Sequence, residues 1–170
     1  MGFSSTGATL RYIGPTLKTD RVITLAGSTG GATIEQNGTG TLTLLSAFTA
    51  TGAGTKTLTL TGTSDGVAAG AIADNSATNK TNVAKNGTGT WTLGGLNTYT
   101  GTTTVTAGTL LMTGSIAAGG NVTVASSASF GGSGTVTPNT TVNGNLALNG
   151  TLNFAGTLSF GASAREKMNL

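Results

Sequence analysis

The sequence predicts an all-β chain wound as a parallel β-solenoid, in which each turn of short strands stacks on the last. The alternative it leaves open is an antiparallel β-sandwich. Three observations carry this expectation. A decapeptide recurs, as EQNGTGTLTL at 35–44 and AKNGTGTWTL at 84–93, and self-similarity at a long period marks stacked repeats. Apolar residues alternate with Thr, Asn or Ser at a period of two, while helical periodicity is nearly absent. Almost every alternating segment ends in Gly, Asn-Gly or Gly-Gly, residues that suit tight turns.

The segments follow in order. RVITLAG (21–27) offers Ile23 and Leu25 to one face, GTLTLLS (40–46) Leu42 and Leu44, and KTLTLTG (56–62) Leu58 and Leu60. GTWTLGG (89–95) offers Trp91 and Leu93, NTYTGTTTVTAG (97–108) Tyr99 and Val105, and GTLLMTG (108–114) Leu110 and Met112. NVTVAS (121–126) offers Val122 and Val124, and GTVTP (134–138) Val136. The chain closes with NLALNG, TLNFAG and TLSFG, near-equal units that each read as one side of a coil. That near-equality, with the repetition elsewhere, favours stacking over the sandwich. At roughly 20–25 residues per coil there would be roughly seven coils, spaced ~4.8 Å apart. Residues 1–170 read as one domain, with internal repeats at 35–62 and 84–114. The stretch 63–80 reads as irregular, and 115–121 as a second insertion.

Composition narrows the function. Only 8% of residues are charged, against roughly a quarter in ordinary domains. Low charge suits a solenoid, where like charges would stack on one another. The net charge of +3 comes from thirteen scattered charges. Arg11, Lys18, Asp20 and Arg21 sit near one end, and Arg165, Glu166 and Lys167 near the other. The six between, Glu35, Lys56, Asp65, Asp74, Lys80 and Lys85, cancel. No basic stripe exists for a phosphate backbone, which argues against nucleic acid. There is no Cys, so no disulfide or thiolate metal site. No apolar run is long enough for a membrane helix. The opening MGFSSTGATLRYIG has neither the charged nor the apolar region of a signal peptide.

The chemistry available is thin. Without His, nucleophilic catalysis on a His base is closed. A hydrolase using two carboxylates has only Asp20, Glu35, Asp65, Asp74 and Glu166 to draw on. Asp65 and Asp74 alone could meet, across 63–80, and that stretch is also where a binding site would be sought. Calcium repeats need Asp beside Gly, and GGSGTVTPN (131–139) has only the glycines. No cofactor or metal is expected. The Asn-x-Thr triplets at Asn37, Asn86 and Asn149 are Asn-Gly turns first. The Thr-x-Thr runs (Thr41/Thr43, Thr57/Thr59/Thr61, Thr90/Thr92, Thr104/Thr106) suggest a flat ice-binding array. Their uneven spacing along the chain argues against a regular one. By strand phase Trp91 points with Leu93 into the core, and Tyr99 is assigned there too.

GTGTWTLGGLNTYTGTTTVTAGTLLMTG (87–114) resembles the passenger-associated repeat of bacterial autotransporters. The match runs through Gly87, Gly89, Thr90, Trp91, Leu93, Asn97, Thr98, Tyr99, Thr100, Gly101, Thr104, Val105, Gly108, Thr109 and Leu110. Residues 127–150 look like its usual continuation, and 35–62 like a degenerate earlier copy. The resemblance implies a right-handed parallel β-helix, exported and displayed on the bacterial surface, with no catalytic residues. A signal peptide and a translocator barrel are missing from the pattern. The expected function is a non-catalytic stalk or spacer of the cell surface or extracellular matrix. Its expected partners are the rest of a larger surface protein, or copies of itself stacked head to tail into a fibre. The alternatives are an adhesin for glycans or host surfaces and, less favoured, a polysaccharide-active enzyme.

Overall fold

The computed structural model describes residues 7–28, 30–117, 119–148 and 150–168. Asn149 therefore lies outside the described residues, and among those there is no helix. Every strand pair is parallel, which removes the sandwich and gives the β-solenoid, with parallel crossovers of the usual right hand.

The coil has three sides. The first is an eight-stranded sheet of Ala8–Tyr12, Gly30–Gln36, Lys56–Gly62, Thr81–Lys85, Thr103–Val105, Val122–Val124, Thr140–Val142 and Leu158–Phe160. The second is also eight strands deep: Leu17–Thr19, Leu42–Leu44, Gly66–Ala68, Thr90–Leu93, Gly108–Met112, Ala128–Gly132, Asn145–Leu148 and Arg165–Met168. The third side begins with Ile23–Leu25 and Phe48–Ala50 and passes through an isolated bridge from Phe48 to Ile72. It continues as Leu96–Asn97, Ser115–Ile116, Thr135–Val136 and Asn153–Phe154. The three closing units at the chain end fall on the second, third and first sides in turn.

Alternation decides which residues face the axis. On the first side one inward column is Leu10, Ile34, Leu60, Lys85, Val105, Val124, Val142 and Phe160. On the second it is Leu17, Leu42, Gly66, Trp91, Leu110, Phe130 and Leu146. Each fully buried Leu, Val or Phe in these columns contributes about 1.5–3 kcal/mol relative to exposure. The two copies of the decapeptide lie two coils apart, since Leu42 pairs with Gly66, and Gly66 with Trp91.

Coil length is not constant. The opening turns are wide: on the first side Ala8 pairs with Ala32, Gly30 with Lys56, and Lys56 with Thr81. The later turns are narrower: Val83 pairs with Thr103, Thr103 with Val122, Val122 with Thr140, and Thr140 with Leu158. The surplus lies mainly where the chain returns from the third side to the first. That corner spans 73–80 in the third coil but 137–139 in the sixth. The single coil length expected from the sequence thus averages two populations.

Residues 63–80, expected to be irregular, enter the stack. Gly66–Ala68 is a full second-side strand between Leu42–Leu44 and Thr90–Leu93, and Ile72 bridges Phe48. Glycine and small residues without β-branching hid this strand from the alternation test. Within 115–121, Ser115–Ile116 is likewise a third-side strand.

Candidate functional site

The residues of the NTYTG segment stand at the step where wide coils give way to narrow ones. Asn97 is buried and joins three successive coils. Its Oδ1 accepts from the Ile72 amide at 3.0 Å, and its Nδ2 donates to the carbonyls of Gly95 and Ser115, both at 2.9 Å. Tyr99 is fully buried and its hydroxyl is hydrogen-bonded to Thr103 Oγ1 at 2.6 Å. Burial pushes the phenol above its usual range. Gly101 passes so close to Thr81 that a Cβ would run into its carbonyl.

The remaining motif residues line the same region. Trp91 is fully buried, with Nε1 donating to the Thr61 carbonyl at 3.1 Å. Gly66 below it is what makes room, since a Cβ there would sit 2.6 Å from the indole. Leu93 stacks between Ala68 and Met112, Val105 between Lys85 and Val124, and Leu110 between Trp91 and Phe130. Gly87, at φ +70°, turns the corner after Lys85, and Gly108 (φ +64°) turns the equivalent corner one coil on. The Gly89 amide donates to the Gly62 carbonyl at 3.0 Å, and the Thr90 amide to Asp65 Oδ1 at 3.3 Å.

Asp65 and Asp74 are not brought together. Asp65 precedes Gly66–Ala68 at the first-to-second corner, whereas Asp74 lies past Ile72 at the return corner. Asp74 spends both carboxylate oxygens on backbone and hydroxyl donors. Oδ1 accepts from the Thr81 amide at 2.7 Å, and Oδ2 from the Thr100 amide (3.0 Å) and Oγ1 (2.7 Å). It staples the return corner of one coil to the next. Among the described residues no three acidic, His or Cys side chains group to hold a metal.

Three buried polar residues were not singled out by the sequence reading. Gln36, Lys56 and Lys85 point inward from strand ends. Lys56 Nζ donates to the carbonyls of Gly52, Ala53 and Gly54 at 3.0–3.1 Å. Lys85 Nζ donates to those of Asn86, Gly87 and Ala107 at 2.7–3.0 Å. Gln36 donates to the carbonyls of Gly40 and Asp65 and accepts from the Gly38 amide. Two of the cations counted among the cancelling charges are thus internal plugs for corner carbonyls. Burial pushes the Lys85 ammonium down to about 8. The available signal was phase: Gln36 follows Ile34, Lys85 follows Val83, and Lys56 precedes Leu58, each one alternation step away.

A hollow of about 330 Å³ lies at the first coil, among Leu10, Tyr12, Leu17, Ile23, Leu42 and Leu44. Ile23, Leu42 and Leu44 belong to the core and Leu10 and Tyr12 pack against it, so the hollow is continuous with the core.

Comparison with known proteins agrees with this geometry. Residues 83–112 match the Passenger-associated-transport-repeat family model. Over 110 residues the chain is 39% identical to the "Adhesin BmaC autotransporter" of Brucella suis biovar 1 (strain 1330). That alignment covers 59% of this chain and 3% of the relative, so the chain spans a small fraction of the protein it matches. No solved structure matches significantly. The segment that seals the step thus matches the passenger-associated repeat, and the chain carries that segment within a parallel β-solenoid.

Proposed function

We propose that this chain is a non-catalytic stalk or spacer segment in the passenger of a larger surface protein. The observation that supports it best is the parallel ladder on the first two sides, unbroken through eight strands, whose inward polar groups are spent on its own corners. Such a rod transmits position and load. Asp65 and Asp74 stand at separate corners, with Asp74 committed to structural donors, which favours no acid–base chemistry.

A head-to-tail fibre of copies is the rival reading. Negative-stain electron microscopy of the purified chain separates the readings. Isolated short rods are expected. Regular filaments would overturn the stalk reading in favour of a polymer. An adhesin reading, prompted by the relative's name, requires saturable binding to a glycan or host surface that is lost when 75–79 is replaced.

A further inference from the structure

The first side carries an outward array that chain spacing alone conceals. Its middle column reads Thr9, Thr33, Thr59, Ala84, Thr104, Thr123, Thr141 and Ser159, one side chain per rung through all eight strands. From the third rung onward the flanking positions are Thr57, Asn82, Thr102, Asn121, Asn139 and Thr157 on one side. On the other they are Thr61, Asn86, Thr106, Ala125, Asn143 and Gly161. No charged or aromatic residue stands in these columns over those six rungs, while the first two rungs hold the Arg11–Glu35 ion pair.

The column does not follow from a fixed repeat. The wide coils carry it from Thr33 to Thr59 and the narrow ones from Thr123 to Thr141, unequal steps along the chain, yet Thr returns in register. Nor is it the generic outward residue of this solenoid. The corresponding second-side column reads Lys18, Thr43, Val67, Thr92, Leu111, Gly131 and Ala147, with two Thr in seven.

We propose that this face binds ice, the ordered lattice of water itself. The parallel ladder holds hydroxyl and methyl groups at ~4.8 Å between rungs and ~6.6 Å along a strand. Thr is β-branched and stiff at χ1, so its groups keep those positions at little conformational cost. The outer columns are fixed by their own contacts: Thr102 Oγ1 donates to Asn82 Oδ1 at 3.4 Å, and Thr106 Oγ1 to Asn86 Oδ1 at 2.5 Å. Among the described residues no side-chain hydrogen bond engages the middle-column hydroxyls, which leaves them to water. An uncharged, hydroxyl-rich face suits an uncharged hydrogen-bonding lattice. A flexible glycan would be gripped by aromatic stacking, which these columns lack. Over its six uncharged rungs the face measures about 24 Å by about 13 Å, roughly 310 Å², short of the ~800 Å² per partner of a standard protein interface.

The test is thermal hysteresis and ice-crystal shaping by the whole chain, beside a Thr104→Tyr/Thr123→Tyr variant and a Thr92→Tyr control on the second side. Circular dichroism confirms that each variant folds, and Thr104→Ala serves should the double variant misfold. The expected result is a freezing gap that grows with protein concentration, lost in the first-side double variant, reduced in Thr104→Ala and retained in Thr92→Tyr. No gap and no crystal shaping in the unaltered chain would overturn the proposal, as would equal gaps in all variants. A dimer in sedimentation that the double variant abolishes, without any freezing gap, would overturn it too and assign the face to a second copy instead.

Discussion

The wide and narrow parts of this solenoid solve one problem in two ways. An opening turn runs from Gly30 to Lys56 and a later one from Val122 only to Thr140, yet the first-side ladder continues through both. In the wide turns Gln36 and Lys56 reach from strand ends to corner carbonyls, and Lys85 does the same in the first narrow turn. In the narrow part the column that holds Lys85 continues as Val105, Val124 and Val142. Short corners leave little to satisfy there; the Thr140 hydroxyl, donating to the Pro138 carbonyl at 3.3 Å, is a buried polar contact of that part. Coil circumference is thus a local choice, set by corner length. The segment that matches the passenger repeat stands where the choice changes.

Substitutions can sharpen that contrast. Trp91→Ala in the first narrow turn, packed against Gly66 of the last wide one, should have the largest effect, about 3–5 kcal/mol in chemical denaturation, because Gly66 has no side chain with which to fill the cavity. Asn97→Ala at the step should cost about 3 kcal/mol, each buried backbone group left unpaired contributing about 1–3. Hydrogen exchange at Ile72 reads that loss directly, since its amide donates to Asn97. Val142→Ala in the narrow part should cost about 2 kcal/mol, since only two methyl groups leave. A loss equal to that of Trp91→Ala would mean that the contact of Trp91 with the wide turn below it is not packed differently from the narrow ladder. Asp74→Asn should lower stability by about 2 kcal/mol, because the amide has one acceptor oxygen where the carboxylate uses two. If the Asn variant melts with the parent, the staple across the step is not stabilising.

The pH dependence isolates the plug. Lys85 is shifted from 10.5 to about 8 by burial. Between those values the unfolded chain still holds the proton that the folded chain has released. Stability should therefore rise as pH climbs from about 8 to about 10.5, with no contribution from this group to the slope below that window. The three carbonyls that accept from Nζ favour the charged form and oppose the effect. Denaturation midpoints of the parent and of Lys85→Met across this range decide between them: a slope that Met removes supports burial, and no slope supports the carbonyls. Glu35→Gln should have the smallest effect. The Arg11 and Asn37 hydrogen bonds hold the Glu35 carboxyl below its usual range. Its contribution is present above the ordinary carboxylate pKa and fades as pH falls through the lowered one. The Arg11 side chain of the pair is 66% exposed, so no change in melting at neutral pH is expected.

The chain by itself determined the strands, the inward faces and the solenoid class, because alternation and Gly-rich corners are local properties written over short segments. The recurrence of EQNGTGTLTL as AKNGTGTWTL further disclosed that turns stack, and TWTL…NTYTG carried the repeat family. Tertiary structure alone decided which turns are neighbours and at what register. Gly66–Ala68 became a strand because Leu42–Leu44 and Thr90–Leu93 flank it, against its own weak pattern. Thr residues spaced unevenly along the chain fell into one column because the corners absorb the difference in length. Lys56 and Lys85, read only as charges that cancel, turned inward because corner carbonyls were waiting there. Each of these outcomes depends on where the chain closes its corners and which segment a full coil away it then meets, and a period-two pattern holds no information at that distance.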